Sequence, residues 1–123
     1  MIQIVFKNLQ KSDLTRASVL ERILPLVSKF PGLETARIRV TLEMHNAPEQ
    51  PGPDLYSVKM QILRGKYRGI RLEKSADTLH LALADLVEHA LERLNRYGDR
   101  ARVRERSKAR RLLESFVRKV SFS

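Results

Sequence analysis

Residues 36–44 alternate without a break, with Ala36, Ile38, Val40, Leu42 and Met44 on one parity and Arg37, Arg39, Thr41 and Glu43 on the other. A period of two means a β-strand with one buried and one wet face. Such a strand needs paired neighbours and a layer over its apolar side. The rest of the chain offers both. Ile2, Ile4 and Phe6 alternate with Gln3, Val5 and Lys7, and Tyr56, Val58, Met60 and Ile62 alternate with Ser57, Lys59 and Gln61. Arg64-Gly65-Lys66 reads as a tight hairpin turn leading into a fourth strand from Tyr67 to Glu73. Residues 47–54, APEQPGPD, hold three prolines and a glycine and read as a loop.

Two helical patterns separate and follow these strands. Ser12 or Asp13 offers an N-cap, after which Val19, Ile23, Leu26 and Phe30 form one apolar stripe. Pro25 inside that stripe predicts a kink or an early end, and Pro31-Gly32 stops the segment. Ser75 is the expected cap of the second helix, with Asp77 in its first turn. Leu79, Leu83, Leu86, Val87, Ala90, Leu94 and Tyr97 form its expected buried stripe. Gly98 is either its C-terminal cap or a weak point in a longer helix. The order β-α-β-β-β-α predicts a two-layer α+β domain. In it a right-handed crossover makes the first two strands parallel, and both helices cover one face of a four-stranded sheet.

Charge divides the chain. Of 24 Lys/Arg and 14 Asp/Glu, residues 1–97 hold 15 and 11, whereas residues 98–123 hold 9 and 3. We therefore expect a domain over 1–98 and a basic extension over 99–123. The extension carries the run Arg100, Arg102, Arg104, Arg106 and Lys108. It continues as a cationic amphipathic helix whose stripe is Ala109, Leu112, Leu113, Phe116, Val117 and Val120, with Arg110, Arg111, Arg118 and Lys119 elsewhere on the wheel. Its apolar stripe has three uses: folding back on the domain, pairing with another copy through residues 109–120, or docking a partner. Cationic tails of this kind attract polyanions, nucleic acid first. The chain has no cysteine, which excludes disulfides and thiolate metal sites. With no leader pattern and no apolar run long enough to span a bilayer, the expectation is a cytoplasmic protein without membrane attachment.

Catalytic chemistry needs convergent groups, and none assemble. His80 and His89 sit nine positions apart on one helix and face opposite ways, while His45 stands alone at a strand end. Asp85, Glu88 and Glu92 share a helix face, but Arg96 follows Glu92 by four residues, the spacing of an exposed ion-pair ladder. No phosphate-cradling or nucleophile-elbow motif is present. The expectation is a protein that is not an enzyme and holds no metal or cofactor.

What remains is binding. Arg93, Arg96 and Arg100 fall on the solvent side of the second helix, and Arg16, Arg22 and Lys29 lie off the buried stripe of the first. With Arg102, Arg104, Lys108 and Arg111 of the extension, these are the candidate nucleic-acid contacts, suited to phosphates rather than to base edges. Phe6, Phe30, Tyr56 and Tyr97 are expected in the core, which leaves few aromatics for stacking and favours shape-based recognition of folded RNA.

The opening MIQIVFKNL, the helix RASVLERILPLVSKF ending in Lys29-Phe30, and the second helix LVEHALERLNRY resemble the ribosome hibernation-promoting factor and ribosome-associated inhibitor family over roughly residues 1–100. The resemblance implies a fold similar to a double-stranded-RNA-binding domain. It implies binding in the decoding region of the small ribosomal subunit, where the domain blocks messenger and transfer RNA during dormancy. The family's basic helix positions carry over to Arg22, Lys29, Arg93 and Arg96. Asp85, Glu88 and Glu92 differ, placing negative charge on a helix face that the family keeps more basic. The expected function is a ribosome-associated factor that binds small-subunit rRNA and silences translation by steric occlusion. The alternatives are a general RNA- or DNA-binding module, and a protein-interaction module acting through the C-terminal helix.

Overall fold

The computed structural model describes residues 1–45 and 55–121, the stretch from 98 onward by backbone course alone except at 108 and 110–113. The expected 47–54 loop lies outside the described residues. Strand β1 (Ile2–Lys7) leads into helix α1 (Asp13–Lys29), and a 3-10 turn over Pro31–Leu33 precedes β2 (Arg37–His45). Strands β3 (Leu55–Arg64) and β4 (Arg71–Ala76) then lead to α2 (Leu79–Ser121). The sheet order is β1-β2-β3-β4, with β1 parallel to β2 and the other two pairings antiparallel. This is the α+β arrangement the alternation predicts. By compactness the chain divides into two units, Met1–Glu92 and Arg93–Ser123.

In the first unit, alternation sorts the strand side chains. Ile38, Val40 and Leu42 of β2, Val58, Met60 and Ile62 of β3, and Leu72 of β4 are all buried. The register aligns them in rows, Ile4–Val40–Met60–Leu72 being one complete row across the sheet. This is the sheet's only apolar face, and the stripes that the helices bury lie against it: Val19, Ile23 and Leu26 of α1, and Ala82, Leu83, Leu86 and Ala90 of α2. The helices are neighbours, since Arg22 Nη2 of α1 donates to His80 Nε2 of α2 at 2.9 Å.

Local chemistry fixes the ends of the elements. Asn8 takes a left-handed conformation (φ 50°), which its short amide tolerates, and its Nδ2 donates to the Met44 carbonyl at 2.8 Å. Ser12 caps α1, its Oγ accepting from the Thr15 N–H at 3.3 Å, with Asp13 in the first turn. Pro25 lies inside α1 without ending it. Its missing N–H removes one intrahelical bond, and the helix runs on to Lys29 because Ile23 and Leu26 on either side of it are anchored in the core.

Several further expectations are corrected. The β3–β4 connection is wider than a tight Arg64-Gly65-Lys66 turn: Gly65 and Gly69 both adopt positive φ (106° and 95°), and β4 starts at Arg71 rather than Tyr67. Tyr67 leaves the strand to bury its ring edge-on against Phe30, with centroids 6.2 Å apart. The shift draws Ser75 into β4, so the cap of α2 is Thr78, whose Oγ1 accepts from the Leu81 N–H at 3.1 Å, and Asp77 lies before the helix. At the other end, of the two alternatives at Gly98 the longer helix is the one observed, and α2 continues to Ser121. A lone glycine costs a helix only about 1 kcal/mol relative to alanine, and good helix formers follow it. Tyr97 is 39% exposed rather than buried, and Phe6, Phe30 and Tyr56 are half-buried rather than fully in the core.

Candidate nucleic-acid interface

The strands that bury one face leave the other open, and there the polar parity forms ordered rows. Gln3, Arg39, Gln61 and Arg71 are successive partners across all four strands. Arg39 Nε donates to Gln3 Oε1 at 3.4 Å. With the Gln61 amide oxygen turned towards Arg71, that oxygen accepts from Arg71 Nε and Nη2 at 3.2 and 3.1 Å. The next row is Val5, Thr41, Lys59 and Glu73, and the one after it Lys7, Glu43, Ser57 and Ser75. Most of these residues line a shallow trough of about 280 Å³. Its charged groups are Lys7, Arg39, Lys59, Glu43 and Glu73, with Arg71 at the margin. Thr41 and Ser57 form its nearly closed floor.

The helix layer of the same unit carries its charge differently. Arg16, Arg22 and Lys29 are all exposed on α1, beside Asp13 and Glu21. Arg16 stands over the Phe6 ring, 5.9 Å from its centroid, a cation–π contact that covers a half-buried aromatic. Arg22 is turned to His80, with its Nη2 2.9 Å from the ring Nε2. From Leu79 to Glu92, α2 has no Lys or Arg. Asp85, Glu88 and Glu92 line a second shallow depression of about 320 Å³ together with His89 and Lys74. The structure thus brings Arg16, Arg22 and Lys29 onto one helix and sets an acidic stripe on its neighbour.

In the second unit Arg93 and Arg96 are exposed on the helix, as are Lys108, Arg110 and Arg111. The side chains of Arg100, Arg102 and Arg104 lie outside the described residues, although the helical backbone passes through all three positions. Leu112 and Leu113 are 73% and 66% exposed. The sequence reasoning named none of the open-face cations Lys7, Arg39, Lys59 and Arg71 as contacts. Alternation did place the first three on the wet parity, but only the cross-strand register shows that they share a face with Arg71.

Among the described residues no three His, Asp or Glu side chains come together in a way that could hold a metal. One pair has a catalytic look: His45 Nε2 lies 2.9 Å from Ser57 Oγ and 3.7 Å from Glu43 Oε2. A nucleophile–base–acid relay needs the acid on the opposite ring nitrogen. Here serine and carboxylate meet the same nitrogen, and Ser57 is only 2% exposed. The arrangement braces the end of β2 against β3.

The chain thus pairs a two-layer β-α-β-β-β-α domain, whose sheet has an open cationic face, with a basic helical extension. The comparisons with known proteins specify it further. Residues 2–102 match the family model of the sigma 54 modulation protein / S30EA ribosomal protein family. The chain belongs to that family, whose members are non-enzymatic ribosome-binding factors. Its fold is that of the N-terminal domain of Thermus thermophilus Protein Y, with a TM-score of 0.55 and 18% identity over 77% of this chain and 94% of that one. A ribosomal subunit interface protein from Coxiella burnetii gives a TM-score of 0.54 and 11% identity over 80% and 97% of the two chains. No curated protein matches the sequence at a significant level. No helix among the described residues is long and apolar enough to cross a membrane.

Proposed function

We propose that this protein is a ribosome-associated factor that binds small-subunit rRNA and silences translation by steric occlusion during dormancy or stress. The observation that carries this reading is the family match over residues 2–102. The charge distribution supports it: a surplus of six positive charges in residues 98–123 supplies the salt-dependent attraction that phosphate-rich RNA requires. A rigid domain that occupies a channel used by messenger and transfer RNA needs no catalytic group to stop translation. In this account Arg93, Arg96 and the cations of the extension, together with those of α1, neutralise rRNA phosphates in the cytoplasm. The test is gradient sedimentation of a stationary-phase lysate at low and high salt. Salt-sensitive migration with the small subunit or the whole ribosome is expected, and Arg93→Glu combined with Arg96→Glu should abolish it while the fold survives. Protein that stays at the top of the gradient at low salt would remove the ribosome from the account.

A second reading rests on the exposure of Leu112 and Leu113. Two neighbouring exposed leucines on a helix, in register with Ala109, Phe116, Val117 and Val120, make residues 109–120 a self-association stripe or a partner-docking stripe. Deleting residues 101–123 separates the readings. Ribosome binding should survive in part if the domain binds RNA, whereas self-association should vanish.

A further inference from the structure

The family reading directs attention to the helices, yet between Met1 and Glu92 the helix layer is the less basic side. Up to Glu92, α1 and α2 together carry three cations (Arg16, Arg22 and Lys29) and five carboxylates (Asp13, Glu21, Asp85, Glu88 and Glu92). The open sheet face carries Lys7, Arg39, Lys59 and Arg71 against Glu43 and Glu73. We infer that this open face is an RNA-contact surface in its own right, taking the phosphate backbone of folded RNA across the row Gln3–Arg39–Gln61–Arg71 and the adjoining Lys59 and Lys7. The inference rests on the RNA-binding reading given above and assigns it a surface that the helix cations do not include.

Three features support a phosphate backbone as the occupant. The first is charge complementarity, since cations outnumber carboxylates here and the helix side has the reverse balance. The second is preorganisation. Gln3 and Gln61 accept from Arg39 and Arg71 and hold the guanidinium planes in place, leaving other N–H groups of each fork for a phosphate oxygen. Arg39 and Arg71 stand two strands apart, about 10 Å at ordinary strand spacing, so one strip of backbone can touch both. The third is what the trough lacks. Its lining includes no aromatic residue and, apart from Val5, no large apolar side chain. A protein partner would need an apolar anchor, and a single-stranded base would need a ring to stack on. Polar, positively charged and wet is the character of a surface that meets nucleic acid by its backbone.

The test uses the full chain and purified small ribosomal subunits, with affinity measured as a function of salt. Arg39→Gln with Arg71→Gln should weaken binding about tenfold or more and make the log–log salt slope shallower by roughly two. Lys59→Gln, which leaves the Arg39–Gln3 and Arg71–Gln61 hydrogen bonds in place, should weaken binding in the same direction and guards against a loosened sheet in the double variant. If the wild type binds and both variants keep its affinity and slope, the open face is not a contact surface and the inference falls while the ribosomal reading stands. If the wild type does not bind the subunit, the ribosomal reading fails, and this inference fails with it. If the variants lose binding to polyglutamate but keep binding to the subunit, the face serves an acidic protein and the inference is overturned.

Discussion

The two faces of the sheet are made by the same four strands, one residue out of step, and they obey opposite rules. On the helix side every row is fixed by packing: Val40 and Leu42 are fully buried, and each strand's apolar parity meets the stripes of α1 and α2. On the open side the outer row is joined by side-chain hydrogen bonds such as Arg39–Gln3 rather than by apolar packing. Substitution on the first face should therefore register as lost stability with little specific effect on binding. Substitution on the second should register as lost binding with little effect on stability. A one-residue slip would exchange the two faces, and that is why the buried side specifies the register so firmly.

The largest expected effect sharpens this contrast. Leu42→Ala should lower unfolding free energy by about 3 kcal/mol, read from denaturant midpoints, because it opens a cavity in a closed layer. Its open-face neighbour on β2, Arg39, should tolerate replacement by glutamine. The second effect runs the other way. Pro25→Ala should raise stability by about 2 kcal/mol, since alanine restores the donor missing from the interior of α1. No gain would mean that the helix has already adapted to the proline. Third, Thr78→Ala should cost about 1 kcal/mol by uncapping α2, with thermal melting as the readout. The smallest effect is the most discriminating: Arg39→Gln with Arg71→Gln should change stability by no more than about 0.5 kcal/mol. A loss as large as that of Leu42→Ala would break the comparison, because the open rows would then be structural.

The inward face was legible in the sequence because alternation at 36–44 and 56–62 is a strong signal whatever lies around it. The parallel β1–β2 pairing followed from the intervening helix. Register was not legible, because it depends on the geometry of the connections, among them the turn with positive φ at Gly65 and Gly69. The cation row Arg39–Arg71, a product of register, was missed for that reason. Turn chemistry misled at Tyr67, which reads as a strand residue but gains more by burying its ring against Phe30 than by pairing. Gly98 left two readings open, and the longer helix is the one observed, because a lone weak helix former does not by itself end a helix. The helix cations Arg16, Arg22 and Lys29 were correctly placed on the surface of α1. The attachments of Arg16 to Phe6 and of Arg22 to His80 were invisible without the fold.

The central claim is that this domain and its extension bind the small ribosomal subunit where messenger and transfer RNA must pass. The most direct measurement is competition on purified small subunits, with labelled messenger RNA and initiator transfer RNA displaced by increasing amounts of the full chain at physiological salt. The account predicts stoichiometric displacement of both ligands, weakened by rising salt. Saturating binding of the protein with both RNAs still in place would contradict it.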